Sequence, residues 1–253
     1  TGRGLMFLAL WATPRSTSTA FEWMMRQRGD FHCVHEPFNE LYYYGEDKRS
    51  NREEVEPRPG HTYDSVWAEL LAQGRKTSVF VKEHAYSVGD DLDEERFAAI
   101  DQHSFLLRDP KRVIQGMAKY WPDVEFEEVG FEALHLLFDR VAESTGAVPP
   151  VVHSDDLLRR PRETTEAYCK AVDIPFIEEA LSWEAGPRTE VKWYGSGDNP
   201  WHDYLTNSTG FSQPKTQYPP LEDDARLVEL YERSVPHYEA LDSHRLVPLQ
   251  AAE

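Results

Sequence analysis

The chain is poor in cysteine, with two in 253 residues, Cys33 and Cys169, far apart in the sequence. Such a pair provides neither the spacing of a zinc site nor a disulfide framework, so we expect two free, buried thiols. No apolar run approaches the ~18 residues of a membrane-spanning helix, and the N-terminus lacks the pattern of a signal peptide. These absences predict a soluble, cytoplasmic protein without a membrane partner.

Positive charge is also scarce, since 27 Lys and Arg residues face 45 Asp and Glu residues and leave a net charge of −18. An acidic surface repels polyanions at long range, so neither nucleic acid nor an acidic polysaccharide is an expected partner. A small neutral or cationic molecule fits this charge better. The sequence carries no signal of an oligomeric state.

Short apolar runs alternate with longer helical patterns along the whole chain, with no repeat and no long linker. This order is typical of βαβ units, and it predicts an α/β fold with a central, mostly parallel sheet flanked by helices. One domain, residues 1–253, accounts for the chain. The predicted strands are Leu5–Ala12, Phe31–His35, Ser78–Lys82, Ser104–Leu107 and Val151–His153. The predicted helices include Ser65–Gln73, Lys111–Tyr120, Phe131–Ser144, Glu163–Val172 and a final Asp223–Ala240, which we expect to pack across the sheet.

Polar residues follow each predicted strand, at the sheet edge where ligands of such folds gather. After the first strand come a turn at Thr13-Pro14, four hydroxyl residues in the range 16–19, and a predicted helix. Backbone N–H groups, hydroxyls and the positive end of a helix dipole predict an anion site, most often for phosphate. Arg15 adds a cation suited to phosphate, while an ordinary helix cap is the simpler alternative. Because no glycine lies between Gly4 and Gly29, the loop is not a Walker A motif.

The segment 14–19, Pro-Arg-Ser-Thr-Ser-Thr, resembles the 5′-phosphosulfate loop of the sulfotransferases that use 3′-phosphoadenosine 5′-phosphosulfate (PAPS). Thr17 stands where that family usually has glycine. The resemblance implies a P-loop NTPase-like sulfotransferase fold, PAPS as the sulfuryl donor, and no metal. It also implies that the donor is bound by Arg15, Ser16, Thr17, Ser18 and Thr19.

Two segments offer a catalytic base. Lys82 and His84 end a predicted strand two residues apart and so face the same side, and they resemble the family's Lys-x-His. That resemblance implies that His84 takes the proton from the acceptor hydroxyl while Lys82 lies near the sulfuryl group. Glu36, in a Glu-Pro-Phe segment found in bacterial and carbohydrate sulfotransferases, is the second candidate. The adjacent aromatic cluster 42–44 is a candidate lining of the acceptor pocket.

The rest of the donor site is implied by two later segments. Arg108 begins an Arg-Asp-Pro that resembles the family's 3′-phosphate site, whose usual serine eight residues later is Gly116 in this chain. Lys111, Lys119 or a backbone N–H group is the expected substitute for that hydroxyl. The glycine-bearing segment 192–202 loosely resembles the stretch that wraps the adenine, which implies donor contacts from Lys192, Gly195, Gly197 and Trp201.

The resemblance, carried by these motifs in order, implies a PAPS-dependent sulfotransferase that acts on a small hydroxylated acceptor. His84 or Glu36 would remove the acceptor proton, and Arg15, Lys82 and the loop N–H groups would stabilise the growing negative charge. The alternatives are a nucleotide-dependent kinase with a variant phosphate loop and a non-catalytic nucleotide-binding protein. Departures at Thr17 and Gly116 are the main support for the last.

Overall fold

A five-stranded, fully parallel sheet forms the centre of the computed structural model, which describes residues 4–88, 92–193, 203–213 and 217–250. The strand order is β2-β3-β1-β4-β5, and neighbouring strands pair in parallel. The predicted α/β class is therefore confirmed. The strands are β1 Phe7–Ala12, β2 His32–His35, β3 Val79–His84, β4 Gln102–Leu107 and β5 Val151–His153.

Helices cover both faces of the sheet because alternate residues of each central strand point to opposite sides. Leu8 and Leu10 of β1 belong to one apolar cluster, and Phe7 and Ala9 belong to the other. The first cluster includes residues of α1 Ser18–Arg28, α9 Ser154–Arg159, α10 Pro161–Ala171 and α11 Asp203–Thr206. The second includes residues of α2 Pro37–Tyr44, α3 Tyr63–Gly74, α4 Ala85–Val88, α5 Glu94–Ala98, α6 Pro110–Ala118, α7 Phe126–Val129, α8 Phe131–Thr145 and α12 Ala225–Asp242.

The final helix was expected to pack across the sheet. In the structure α12 contacts β4 and β5 and packs more extensively on α6 and α8. Its Leu230 and Leu241 belong to the same apolar cluster as residues of β4 and β5. Within the described residues, no helix has the length and apolar character needed to cross a bilayer.

The segment after α2 has irregular structure and is anchored to the helix before it. The backbone N–H groups of Arg49 and Ser50 both donate to the carbonyl of Tyr42. Arg52 forms ion pairs with Glu128 at 2.6 Å and with Asp123 at 2.7 Å. These contacts tie the segment to the region of α7.

The loop between β1 and α1 has a strained backbone at two residues. Arg15 and Thr17 have φ values of 57° and 74°, in the left-handed region that favours glycine. Thr17 is the N-cap of α1 and makes no side-chain capping bond. The glycine typical of the related loops is thus absent, but the backbone conformation that glycine favours is retained.

Replacing Thr17 with glycine should relieve this strain. A residue with a Cβ pays about 1–2 kcal/mol for the left-handed conformation, and the extra freedom of glycine in the unfolded chain offsets about 0.4–1 kcal/mol of the gain. We expect Thr17→Gly to raise the free energy of unfolding by about 0.5–1 kcal/mol in urea denaturation. Thr17→Ala, which keeps a Cβ, should gain less. A glycine variant less stable than the wild type would contradict the assigned strain.

Candidate functional site

Candidate site residues from three strands meet at one edge of the sheet because β1 lies at its centre. Ala12, the last residue of β1, pairs with His84 of β3 on one side and with Leu106 of β4 on the other. The loop that follows Ala12 therefore starts between His84 and Arg108, which comes directly after β4. The expected convergence of strand ends is confirmed.

Side chains hold the carbonyl groups of this loop, which we call the β1–α1 loop (residues 13–17). The Ser16 hydroxyl donates to the carbonyl of Thr13 at 2.6 Å, and the Ser154 hydroxyl donates to the carbonyl of Ser16. Arg108 Nη1 donates to the carbonyl of Arg15 at 2.6 Å. Since Thr17 provides no side-chain cap, the first N–H groups of α1 are left for an anion. Ser16 supports the loop, and its hydroxyl is directed inward.

On the β3 side, four charged or polar groups form a buried cluster. Lys82 is fully buried and forms an ion pair with Glu36, and His84 Nε2 lies 3.3 Å from the same carboxylate. Asn39 Nδ2 donates to the other oxygen of Glu36 at 3.2 Å. Glu36 itself has a φ of 42° at the start of α2. The two candidate bases and the candidate lysine are thus in direct contact.

The protonation states of this cluster follow from burial and charge. Burial alone would raise the pKa of Glu36, but His84, Lys82 and His35 together hold it well below its ordinary value. Burial lowers the pKa of His84 to about 4, with Lys82 and His35 acting in the same direction and Glu36 opposing them. Glu36 is therefore an anion and His84 a neutral imidazole near pH 7. Among the described residues, the buried Nδ1 of His84 has no hydrogen-bond partner.

Sequence reasoning missed two carboxylates that support the cluster. Glu22 of α1 lies 4.0 Å from Lys82 Nζ and 2.6 Å from His35 Nδ1, and these partners outweigh burial and lower the pKa of Glu22 to about 2. Glu83 accepts hydrogen bonds from the backbone N–H of Phe38, Asn39 and His84. Burial raises the pKa of Glu83 to about 8, so this side chain is largely protonated near pH 7. The available signal was Lys82, a charge within a strand buried on both faces, because such a charge requires partners.

On the β4 side, Arg108 is held beside the β1–α1 loop. Burial lowers the pKa of Arg108, and the positive charge of Arg15 lowers it further. Arg108 Nε and the hydroxyl of Thr13 are buried, and neither has a hydrogen-bond partner in the described part of the chain. Such orphaned donors at a loop with unused N–H groups fit the phosphates of a nucleotide. Across residues 4–88, 92–193, 203–213 and 217–250, no three His, Cys, Asp or Glu side chains form a metal-binding group.

The tyrosines of α2 reach His84 through a fourth tyrosine. Tyr43 and Tyr86 hydroxyls lie 3.0 Å apart, the Tyr42 ring contacts the Tyr86 ring edge-on, and the His84 ring stacks on Tyr86 with centroids 5.8 Å apart. Tyr42 and Tyr86 are partly exposed, whereas Tyr43 and Tyr44 are buried. Tyr42 is therefore the residue of the 42–44 cluster that adjoins the candidate base through Tyr86, and the lining of an acceptor pocket stays a prediction.

Lys192, at the described start of the late segment, lies elsewhere than expected. Lys192 is 83% exposed and lies 3.7 Å from Glu40 of α2. It lines a groove of about 580 Å³ beside β2, which is three strand positions from β4. The structure therefore does not bring Lys192 to Arg108. Gly195, Gly197 and Trp201 lie outside the described residues.

Comparison with known proteins gives matches that cover most of this chain. The profile described as "Sulfotransferase domain" matches residues 6–245. Branched-chain-amino-acid aminotransferase-like protein 1 of Arabidopsis thaliana is 31% identical over 240 residues, and the similarly named protein 2 is 28% identical. Each alignment covers 92% of this chain and 41% of the relative, so the chain spans about two fifths of their length.

Two solved sulfotransferase domains share the fold. The domain from the olefin synthase of Synechococcus PCC 7002 aligns with a TM-score of 0.56 and 16% identity, covering 92% of this chain and 96% of its own. The domain from the curacin biosynthetic pathway gives 0.51 and 11%, with coverage of 92% and 98%. With one family profile spanning nearly all of its residues, and with the site at the sheet edge that the family motifs indicated, this chain belongs to the sulfotransferase domain family.

Proposed function

We propose that this domain transfers the sulfuryl group of PAPS to a hydroxyl of a small neutral or cationic molecule. The observation that carries the proposal is the position of the β1–α1 loop, whose uncapped helix start lies between the buried Glu36–Lys82–His84 cluster and Arg108. A donor phosphate at the loop would present its sulfuryl group toward the base cluster. Its 3′-phosphate would lie toward Arg108. Membership of the sulfotransferase family supports the reaction type.

In the proposed reaction the acceptor oxygen attacks sulfur in line with the leaving group. The new oxygen–sulfur bond forms as the bond between sulfur and the bridging oxygen breaks, and adenosine 3′,5′-bisphosphate leaves. The acceptor proton passes to a protein base. Loop N–H groups stabilise the negative charge that develops on the bridging and phosphate oxygens. The Tyr42–Tyr86 surface would orient the acceptor beside His84.

His84 is the proposed base, and Glu36 orients it. With Glu36 ionised, a neutral His84 donates its Nε2 proton to that carboxylate and keeps the lone pair of Nδ1 for the acceptor proton. The imidazolium that forms is then stabilised by Glu36, as in other carboxylate–histidine pairs. Lys82 acts through Glu36, because the ion pair keeps that carboxylate charged.

Donor binding is tested by thermal unfolding with adenosine 3′,5′-bisphosphate, adenosine 5′-phosphate and Mg·ATP. A ligand at one hundred times its Kd adds about 2.7 kcal/mol to the free energy of unfolding. We expect the bisphosphate to raise the midpoint and the other two to have little effect. Stabilisation by Mg·ATP alone would identify a kinase, and no sulfate transfer from PAPS to a panel of hydroxylated acceptors would refute the proposed activity.

The pH profile tests the state of His84. Because its pKa is lowered to about 4, the neutral, basic form persists well below the ordinary histidine pKa. We therefore expect kcat/KM to stay flat from about pH 8 to about pH 5 and to fall below that range. An acidic limb centred near the ordinary value of 6.5 would show that the imidazole is not desolvated as described.

Separate variants assign the base. His84→Asn should lower kcat by about 10²–10⁴-fold because the proton acceptor is lost. Glu36→Gln keeps the imidazole and removes the charge that raises its pKa, so the remaining activity should have its acidic limb at lower pH. Full activity of His84→Asn with an inactive Glu36→Gln would assign the base to Glu36. Near-ultraviolet circular dichroism checks that both variants retain the native packing.

A further inference from the structure

The side chain of Arg15 is packed along α6. A Cβ atom placed on Gly116 would lie 3.3 Å from Arg15 Cγ and 3.4 Å from its Cβ and Nε. The first distance is tighter than most contacts of a Cβ atom and the other two are at the limit of ordinary contact, so a residue with a Cβ at 116 would require Arg15 to shift by a few tenths of an ångström. One turn further along, the Arg15 guanidinium lies 5.5 Å from the centroid of the Tyr120 ring. The Arg15 side chain therefore packs across α6 over Gly116, with its guanidinium over the Tyr120 ring.

Arg108 approaches the same place from the end of β4. Its Nη1 is bonded to the carbonyl of Arg15, and its buried Nε has no partner among the residues described. Burial and the charges of Arg15 and Arg112 lower the pKa of Arg108, whereas Tyr218 and Asp155 raise it. Arg108 is thus bonded to the backbone of Arg15, whose side chain packs on Gly116, so two arginines adjoin the β1–α1 loop in a protein with a net charge of −18.

Two lysines could replace the missing serine. Lys111 forms an ion pair with Glu222 at 2.7 Å. Lys119 and Arg15 both lie over the Tyr120 ring, at 4.9 and 5.5 Å, but of the two only Arg15 is found against position 116 itself. Lys111 is also half-exposed, which weakens any directional contact. Arg15 is thus the cation that packs against the glycine at 116.

We infer that Arg15 and Arg108 together clamp the 3′-phosphate of the donor, and that Gly116 admits Arg15 to that site. This inference rests on the proposed function. A guanidinium can hold two phosphate oxygens at once, so Arg15 supplies more than the single hydroxyl usual at position 116 in the family. The 5′-phosphosulfate is then left to the N–H groups and hydroxyls at the start of α1.

The test is a double-variant cycle on nucleotide binding, measured by isothermal titration calorimetry. For each protein, the Kd of adenosine 5′-phosphate is divided by the Kd of adenosine 3′,5′-bisphosphate, which isolates the contribution of the 3′-phosphate. The proteins are the wild type, Arg15→Ala, Gly116→Ser, the double variant, and Arg112→Ala. The last removes the same charge from an exposed position on α6 and is the matched control.

We expect Arg15→Ala to reduce this ratio by about 10- to 100-fold, because charged hydrogen bonds to the 3′-phosphate are lost. Gly116→Ser should also reduce it, by shifting Arg15, but should cause no further loss once Arg15 is absent. Arg112→Ala should change it by less than about threefold, as expected for a screened surface charge.

The failures of the two proposals are distinguishable. A wild type without preference for the bisphosphate overturns the proposed donor and the clamp together. If the wild type prefers the bisphosphate and Arg15→Ala keeps the same ratio of Kd values, or loses no more of it than Arg112→Ala does, the clamp alone is overturned. The clamp is also overturned if Gly116→Ser leaves the ratio unchanged while Arg15 is present. Unfolding midpoints without ligand identify any variant whose weaker binding reflects a damaged fold.

Discussion

The burial of Lys82 is the constraint on which the rest of the site depends. An ammonium group removed from water costs several kcal/mol unless carboxylates compensate it, and here Glu36 and Glu22 do so from two different elements. Glu22 is itself balanced by His35 and Arg26. Removing one partner of such a pair costs about 3–5 kcal/mol. The requirement to neutralise one lysine therefore fixes α1, β2 and the start of α2 against β3.

Successive residues of β3 point to opposite faces of the sheet and therefore contact different helices. Lys82 and His84 point to the same side of the sheet as Phe80, toward α1, and Glu83 points to the opposite side, toward α2. Glu83 satisfies the N–H groups of Phe38 and Asn39 at the start of α2, and this holds the turn that contains Glu36. Consecutive residues of one strand thus fix both the carboxylate and the imidazole. Preorganisation of this kind costs nothing at the moment of reaction.

The elements and the meeting of strand ends could be predicted because they depend on local apolar runs and on the rule that parallel strands end at one edge. The shared face of Lys82 and His84 was equally accessible from their spacing. The role of Glu22 could not be predicted from the sequence, since it depends on which helix covers β3. The conformation of Thr17 could not be predicted from a residue type that disfavours it. The donor contact of Lys192 was expected only from the resemblance of its segment to a family motif. In the structure Lys192 lies beside β2, near Glu40.

The contrast between an acidic molecule and a basic site has a physical consequence. Charges on the surface are screened over ~8–10 Å at physiological ionic strength. A net charge of −18 therefore repels an extended polyanion along its whole length. The repulsion of a small anion weakens rapidly once that anion lies inside a pocket. Burial and the positive charge of Arg15 lower the pKa of Arg108. In the proposed clamp, a small dianion would gain from both guanidinium groups at hydrogen-bond range and would meet little of the outer repulsion. Selectivity for a compact phosphate over a polymeric one would then arise from the different ranges of the two effects, without a contact dedicated to it.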